Sequence, residues 1–195
     1  MGGFPILSAV VFLPLIGALI IMGVRSATAG SFSSEEAGKD SRAALLAGLI
    51  ISSAAFVASV AAFLTFDPNA AGYQLVEQYA WYGEITYKVG IDGLSMPLIL
   101  LTTFLTPICL LASWNSINTR VTEYVVAFLV LETFMLGVFA ALDIVLFYIF
   151  FEAGLIPMFL IIGIWGGKEK IYAAFKFFLY TLLGSLLMLV AVVYM

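Results

Sequence analysis

The chain has 195 residues, of which 64% are hydrophobic and 10% charged, with a formal net charge of −4. Because soluble domains carry about 25% charged residues, and no soluble core of this length could cover so much apolar surface, the composition predicts a membrane protein. The absence of a basic cluster argues against a nucleic-acid partner, and one cysteine without any histidine argues against a Cys/His metal site or an internal disulfide.

Apolar runs long enough to cross a bilayer, which takes about 20 residues, occur six times in the sequence. The predicted fold class is therefore all-α, a polytopic transmembrane helical bundle. The very short segment around Asp143 predicts that the fourth and fifth helices are antiparallel neighbours. The predicted spans are Phe4–Val24, Ala43–Phe66, Leu94–Trp114, Val121–Leu142, Ile144–Trp165 and Ile171–Met195.

The first run precedes the small residues SATAG and could be read as a cleaved signal peptide. No Lys or Arg precedes it, and it is longer than the apolar part of a typical signal peptide, so we expect a retained membrane anchor. The Gly/Ser-rich, charged stretch Arg25–Arg42 that follows is typical of a flexible connector.

The long polar and aromatic loop at 67–93 predicts a short hairpin on the membrane surface. In YQLVEQYAWYGEITYKVGIDG, aromatic and β-branched residues alternate loosely with polar ones. We interpret the aromatic side chains as anchors in the headgroup region rather than as a ligand site. They are Tyr79, Trp81, Tyr82 and Tyr87.

The distribution of basic residues predicts how the chain crosses the membrane. With the N-terminus outside, six Lys and Arg residues fall in inner segments and only Lys88 falls in an outer one, as the positive-inside rule requires. The six are Arg25, Lys39, Arg42, Arg120, Lys168 and Lys170.

Three charged residues lie well inside the predicted spans, away from their first turns: Glu132, Glu152 and Lys176. An ionisable group at the bilayer centre costs roughly 2.5 to 3.5 kcal/mol on insertion scales, and such groups usually mark ion or proton pathways. Each also has a structural interpretation: Glu152 as a neutral packing carboxyl, Lys176 as a side chain reaching the interface, and Glu132 as a group satisfied by Thr133.

Glu152 has the strongest local context. Pro157 leaves the carbonyl of Ala153 without its helical donor, and Gly154 exposes backbone beside the carboxyl, so water or a side-chain donor can approach. A carboxyl in such a place can change protonation state when a charged partner moves. The sequence therefore predicts a proton relay centred on Glu152, with Lys176 and Glu132 as further members.

Three segments together resemble a known family. They are VGIDGLSMPLILLTTFLTPICLLASW, FMLGVFAALDIVLFYIFFEAGLIPMFLIIGIWGG and YAAFKFFLYTLLGSLLML. In this order they resemble the antiporter-like membrane subunit, called chain M or chain 4, of respiratory complex I, the proton-translocating NADH:quinone oxidoreductase. The resemblance is strong over residues 89–195.

The resemblance implies about fourteen helices with inverted repeats. Residues 1–120 would hold the three leading helices, residues 121–195 would begin the first repeat, and the remainder would be absent from the printed chain. Glu152 matches the family's glutamate on the fifth helix, which pairs with a lysine on a broken seventh helix. Lys176 matches the lysine of the family's KFF stretch.

Membership also implies partners and cofactors. The partners would be other membrane-arm subunits, including neighbouring antiporter-like ones, together with the bilayer and protons. This chain would hold no cofactor, while NADH, FMN, iron–sulfur clusters and ubiquinone would bind other subunits. The expected location is the bacterial cytoplasmic membrane rather than the mitochondrial inner membrane. The alternatives are a subunit of a multi-subunit cation/proton antiporter and a structural spacer of the membrane arm.

Overall fold

The structure, a computed structural model, describes residues 5–28, 36–68, 70, 72–82 and 85–194. It contains six helices and one hairpin: α1 (Ile6–Thr28), α2 (Glu36–Thr65), β1 (Gln74–Tyr82), β2 (Ile85–Ile91), α3 (Ser95–Ala112), α4 (Val121–Ala140), α5 (Ile144–Trp165) and α6 (Lys170–Tyr194). All six helices are long and apolar enough to cross a membrane. The predicted fold class, a polytopic helical bundle, is confirmed.

Helix α4 is the centre of the bundle, because it packs against α1, α2, α3 and α5. The chain turns from α4 into α5 within three residues, and Asp143 caps α5 by accepting hydrogen bonds from the backbone N–H of Val145 (2.9 Å) and Leu146 (3.1 Å). Helix α6 packs mainly against α5, so most of its apolar surface is uncovered by the described part of the chain. The predicted short antiparallel turn at Asp143 is confirmed.

The connections define two ends of the bundle. At the hairpin end, the backbone N–H of Leu142 donates to the carbonyl of Lys88 (2.9 Å), joining the α4–α5 turn to β2. At the opposite end, which we call the loop end, the indole N–H of Trp165 donates to the carbonyl of Thr119 (2.8 Å). This contact joins the α3–α4 connection to the end of α5. How the two ends face the membrane stays a prediction.

The predicted hairpin in the 67–93 loop is present as two antiparallel strands, in which Tyr79 pairs with Tyr87. The pairing is irregular near its start, where Leu75 has a φ of 49°. The side chains of the predicted anchors Trp81 and Tyr82 lie outside the described residues. The position of the hairpin on a membrane surface stays a prediction, as does the division of the chain at residue 120.

The prediction of a flexible connector over Arg25–Arg42 is wrong at both ends. Helix α1 continues to Thr28, and α2 begins at Glu36, six residues before Arg42. Charged and small polar residues do not end a helix by themselves, and Glu, Ala, Lys and Arg at this start of α2 all favour helix. The middle of the connector, 29–35, lies outside the described residues.

Helix α3 begins at a closed turn formed by Asp92. Its carboxylate accepts hydrogen bonds from the backbone N–H of Ser95 (2.7 Å) and Leu94 (3.0 Å), and the Ser95 hydroxyl accepts one from the Asp92 N–H (2.9 Å). This reciprocal pattern satisfies donors that a helix start would otherwise leave open. These hydrogen bonds, of which the one from the Ser95 backbone N–H has the largest effect, hold the pKa of Asp92 below its ordinary value.

Replacing Asp92 with Ala is expected to speed hydrogen exchange at the Leu94 and Ser95 amides roughly fivefold, since a net hydrogen bond contributes about 1 kcal/mol. Because the folded-state pKa is lowered, the contribution is full above the ordinary Asp pKa and is lost as the pH falls through the folded value. The measurement is exchange of the α3 peptide in the full-length protein, by mass spectrometry, at pH 7 and at a series of lower pH values.

Asp143→Ala is the matched control for this prediction, because Asp143 caps α5 in a similar way. It should speed exchange at the start of α5 and leave α3 unchanged. As the pH falls through the folded-state pKa of Asp92, the wild type should approach the Asp92→Ala variant. An α3 start that exchanges equally in both proteins at pH 7 would contradict the assigned role.

Candidate functional site

Glu152 lies on the face of α5 that points toward α6. Residues two positions before and after it face α4: a Cβ added at Gly137 of α4 would collide with the Phe150 ring, and Gly154 approaches Phe134. Since two residues turn a helix by about 200°, Glu152 points the other way. Its Tyr148 neighbour, one turn earlier, interacts both with the Glu152 carboxyl and with Ser185 of α6.

The Glu152 carboxyl is only partly satisfied. Its Oε1 atom is buried and has no hydrogen-bond partner within the described residues. Helix α5 runs through Pro157 without interruption, so the carboxyl sits in the first half of a continuous helix. An unpaired buried carboxyl oxygen is costly, and here it lies beside the sparsely covered helix α6.

Glu132 is more deeply buried, with a relative exposure of 1%. Neither carboxyl oxygen has a hydrogen-bond partner in the described structure. The Thr133 hydroxyl, which could have satisfied it, instead donates to the carbonyl of Leu129 (3.1 Å). Glu132 lines a cleft between α3 and α4, on the side of α4 that faces α3.

Lys176 is exposed on α6, and its ammonium lies 5.6 Å from the centre of the Tyr172 ring, one helical turn away. Ser185, which faces α5, follows nine residues later, so the two side chains differ by about half a turn. Lys176 therefore points away from α5 and from Glu152. It also lies about 9 Å from the start of α6 along the axis, at 1.5 Å per residue.

The three predicted residues thus do not form one cluster. Glu132 is eight residues before the end of α4 and Glu152 eight residues after the start of α5, so each lies about 12 Å from the hairpin end. They share a level in the bundle, but one faces α3 and the other α6. No ion pair joins any two of the three within the described part of the chain.

Two further charged contacts, which the sequence did not indicate, join elements at the two ends of the bundle. At the loop end, Arg25 of α1 pairs with Glu123 of α4 (N–O 2.9 Å), and both side chains remain about half exposed. They border a cavity of about 670 Å³ between α1, α4 and α5, which is lined mainly by apolar side chains. Glu152 does not line this cavity.

At the hairpin end, Glu77 of β1 accepts hydrogen bonds from the backbone N–H of Leu7 (2.8 Å) and Ser8 (3.1 Å) and from the Ser8 hydroxyl. The Ser8 hydroxyl also bonds the Tyr87 hydroxyl (2.9 Å). Burial raises the pKa of Tyr87, so its hydroxyl stays protonated. A carboxylate at the start of α1 suits the helix dipole, which explains why the hairpin docks there.

Six helices long and apolar enough to cross a membrane define a polytopic membrane protein, and the described spans contain buried carboxyl oxygens without hydrogen-bond partners. Residues 43–141 match the family model described as NADH-ubiquinone oxidoreductase chain 4, amino terminus. Residues 141–195 match the model described as NADH:quinone oxidoreductase/Mrp antiporter, TM. The chain belongs to the chain 4 family of NADH:quinone oxidoreductases.

Individual relatives agree with this membership. The chain is 52% identical over 190 residues to NADH-quinone oxidoreductase subunit M of Rhodobacter capsulatus, covering 97% of this chain and 35% of that protein. It is 42% identical over 193 residues to NADH-ubiquinone oxidoreductase chain 4 of Marchantia polymorpha, covering 96% and 36% respectively. The chain therefore spans little more than a third of the length of these relatives.

Proposed function

We propose that this chain is part of a proton-translocating membrane-arm subunit of complex I, in which Glu152 is the central proton-coupled group. The observation that carries the proposal is the buried, partly unsatisfied Glu152 carboxyl on α5, in a chain of this family. The subunit itself would perform no redox chemistry. Electron transfer from NADH through FMN and iron–sulfur clusters to ubiquinone would take place in other subunits.

The mechanism is electrostatic. The Glu152 carboxylate stabilises a neighbouring cation while the two are close, and the cation releases its proton when the pair separates. Two unit charges about 4 Å apart interact by about 4 kcal/mol at an effective dielectric constant of 20. Since about 1.36 kcal/mol corresponds to one pKa unit, small displacements suffice to move a proton.

Two hydroxyl groups near Glu152 support its part in a relay. Tyr148 and Ser185 lie on its side of α5 and can relay a proton or orient the carboxyl through their hydroxyls. Lys176 points away from α5 and from Glu152. For Lys176 to take part in the relay, the proton would have to pass around α6 or through a group outside the described residues. We assign Glu132 a separate position in the relay, since it lies across α4.

The partners would be the other membrane-arm subunits, including neighbouring antiporter-like ones. The apolar surface of α6, which the described residues leave mostly uncovered, is available for such packing. The bacterial cytoplasmic membrane is the proposed location, in keeping with the similarity to the Rhodobacter capsulatus protein. Basic residues are concentrated at the loop end, which supports a cytoplasmic location of that end. They include Arg25, Arg42, Arg120, Lys168 and Lys170.

Isolation of the full-length protein in its native complex tests the proposal. The purified complex is expected to oxidise NADH with a soluble quinone and, in proteoliposomes, to acidify the lumen in step with that reaction. The measurements are NADH absorbance and the quenching of a pH-sensitive dye. A complex that exchanges Na⁺ or K⁺ for protons without oxidising NADH would instead identify the cation/proton antiporter alternative.

A further inference from the structure

A cleft between α3 and α4 has a buried carboxyl, that of Glu132, in its wall. The cleft has a volume of about 280 Å³ and is lined on both sides by one face of each helix. Glu132, 1% exposed, contributes to its lining, and both of its carboxyl oxygens lack hydrogen-bond partners within the described residues. This cleft lies on the opposite side of α4 from Glu152.

Polar side chains of α3 form a line along the cleft. Thr102 and Thr106 both contribute to its lining, and their hydroxyls donate to the carbonyls of Leu98 (2.8 Å) and Thr102 (3.0 Å). Each hydroxyl oxygen therefore keeps acceptor capacity. Cys109, which is exposed, completes the line toward the loop end.

These groups lie at increasing distances from the loop end of the bundle. At about 1.5 Å of rise per residue, Cys109 lies about 5 Å, Thr106 about 9 Å and Thr102 about 15 Å from the end of α3. Glu132 lies about 17 Å from the start of α4, measured from the same loop end. Along the helix axis the three α3 groups are thus about 4 to 6 Å apart, and Glu132 lies about 2 Å beyond the level of Thr102.

We propose that the α3–α4 cleft holds a file of water that runs from the loop end to Glu132, and that the Glu132 carboxyl exchanges a proton with this water. In the exchange, the carboxyl O–H bond breaks as an O–H bond to a water molecule forms. The reverse step restores the acid. The hydronium ion passes its proton along the file, so no oxidant, reductant or further reactant takes part.

Water satisfies the unmet groups better than the alternatives do. A buried water needs two to four polar partners, and Thr102, Thr106 and the Glu132 carboxyl are polar groups in the lining of this cleft that can supply them. A lipid chain in the cleft would leave both carboxyl oxygens unpaired, at a cost of several kcal/mol. The use of the cleft in transport rests on the proposed function, whereas its hydration is a property of the cleft itself.

Hydration is tested by thiol labelling in the full-length protein within its native complex, with Cys109 replaced by Ala. Leu105 and Ile108 of α3 are both 44% exposed, but only Leu105 lines the cleft. With charged methanethiosulfonate-ethylammonium, Leu105→Cys is expected to react roughly tenfold faster than Ile108→Cys, because the reactive thiolate forms in water. Mass spectrometry of the α3 peptide assigns the label to its site.

The two positions distinguish the possible contents of the cleft. Equal labelling rates, or an unreactive Leu105→Cys, would overturn the water file. Adding Glu132→Gln keeps the cleft shape while removing the acid, so Leu105→Cys should remain reactive in that variant.

Proton exchange is tested by pumping in proteoliposomes. Glu132→Gln is expected to slow proton translocation at least fivefold. Glu132→Asp is expected to restore most of the translocation rate. NADH oxidation by the assembled complex is measured in parallel. If Glu132→Gln pumps normally while Glu152→Gln does not, the exchange at Glu132 is refuted and the proposed function stands. Normal pumping by both variants would refute both.

Discussion

Replacing Glu152 with Gln is expected to lower the rate of proton translocation at least tenfold while the complex still assembles. Gln keeps the size of the side chain but removes the charge that the mechanism requires. The lost interaction of about 4 kcal/mol between close charges at a dielectric constant of 20 exceeds the 1.36 kcal/mol that corresponds to a tenfold change in rate. Dye quenching in proteoliposomes measures translocation, and native gel electrophoresis measures assembly.

Two control variants sharpen this test. Glu152→Asp retains a carboxylate one methylene shorter and should keep part of the activity. Glu123→Gln removes the same charge from a carboxylate that is 43% exposed and paired with Arg25, and it should have little effect because exposed ion pairs contribute little. An assembled Glu152→Gln complex that translocates protons at the wild-type rate would leave Glu152 a structural role only.

The spans and the hairpin could be predicted because their signals are local. A run of about 20 apolar residues has few alternatives to a membrane helix, and α5 begins and ends at the predicted residues, Ile144 and Trp165. The turn at Asp143 followed from its brevity. The start of α2 was missed because composition marks where the membrane begins, and a helix can extend beyond it.

The arrangement of the charged residues could not be predicted, because it depends on the rotation of each helix within the bundle. The α5 sequence is apolar on every side, so its pattern does not show that Glu152 faces α6 and not α4. Likewise, Thr133 follows Glu132 in sequence, but its hydroxyl bonds the carbonyl of Leu129. The contact of Glu77 with the start of α1 joins residues about 70 positions apart, which no local pattern encodes.

The helix pair α4–α5 gives the second large expected effect. Gly137 of α4 lies directly against the Phe150 ring of α5, and a Cβ at this position would overlap three ring atoms. Phe150 is only 7% exposed and belongs to the buried cluster at the hairpin end, so the ring has little room to move. Gly137→Ala is therefore expected to destabilise the full-length protein by about 1 to 3 kcal/mol through overpacking.

Gly184→Ala of α6 is the matched control, since a Cβ at Gly184 meets no atom of the described residues within 4 Å. In a helix interior this change should stabilise the protein by about 0.5 to 1 kcal/mol, so the two Gly→Ala variants should shift the thermal unfolding temperature in opposite directions.

A smaller side chain, in Phe150→Leu, should relieve part of the destabilisation caused by Gly137→Ala, giving a non-additive double-mutant cycle. Additive effects would show that the two residues do not press on each other, because the overlap predicts that each substitution changes the cost of the other.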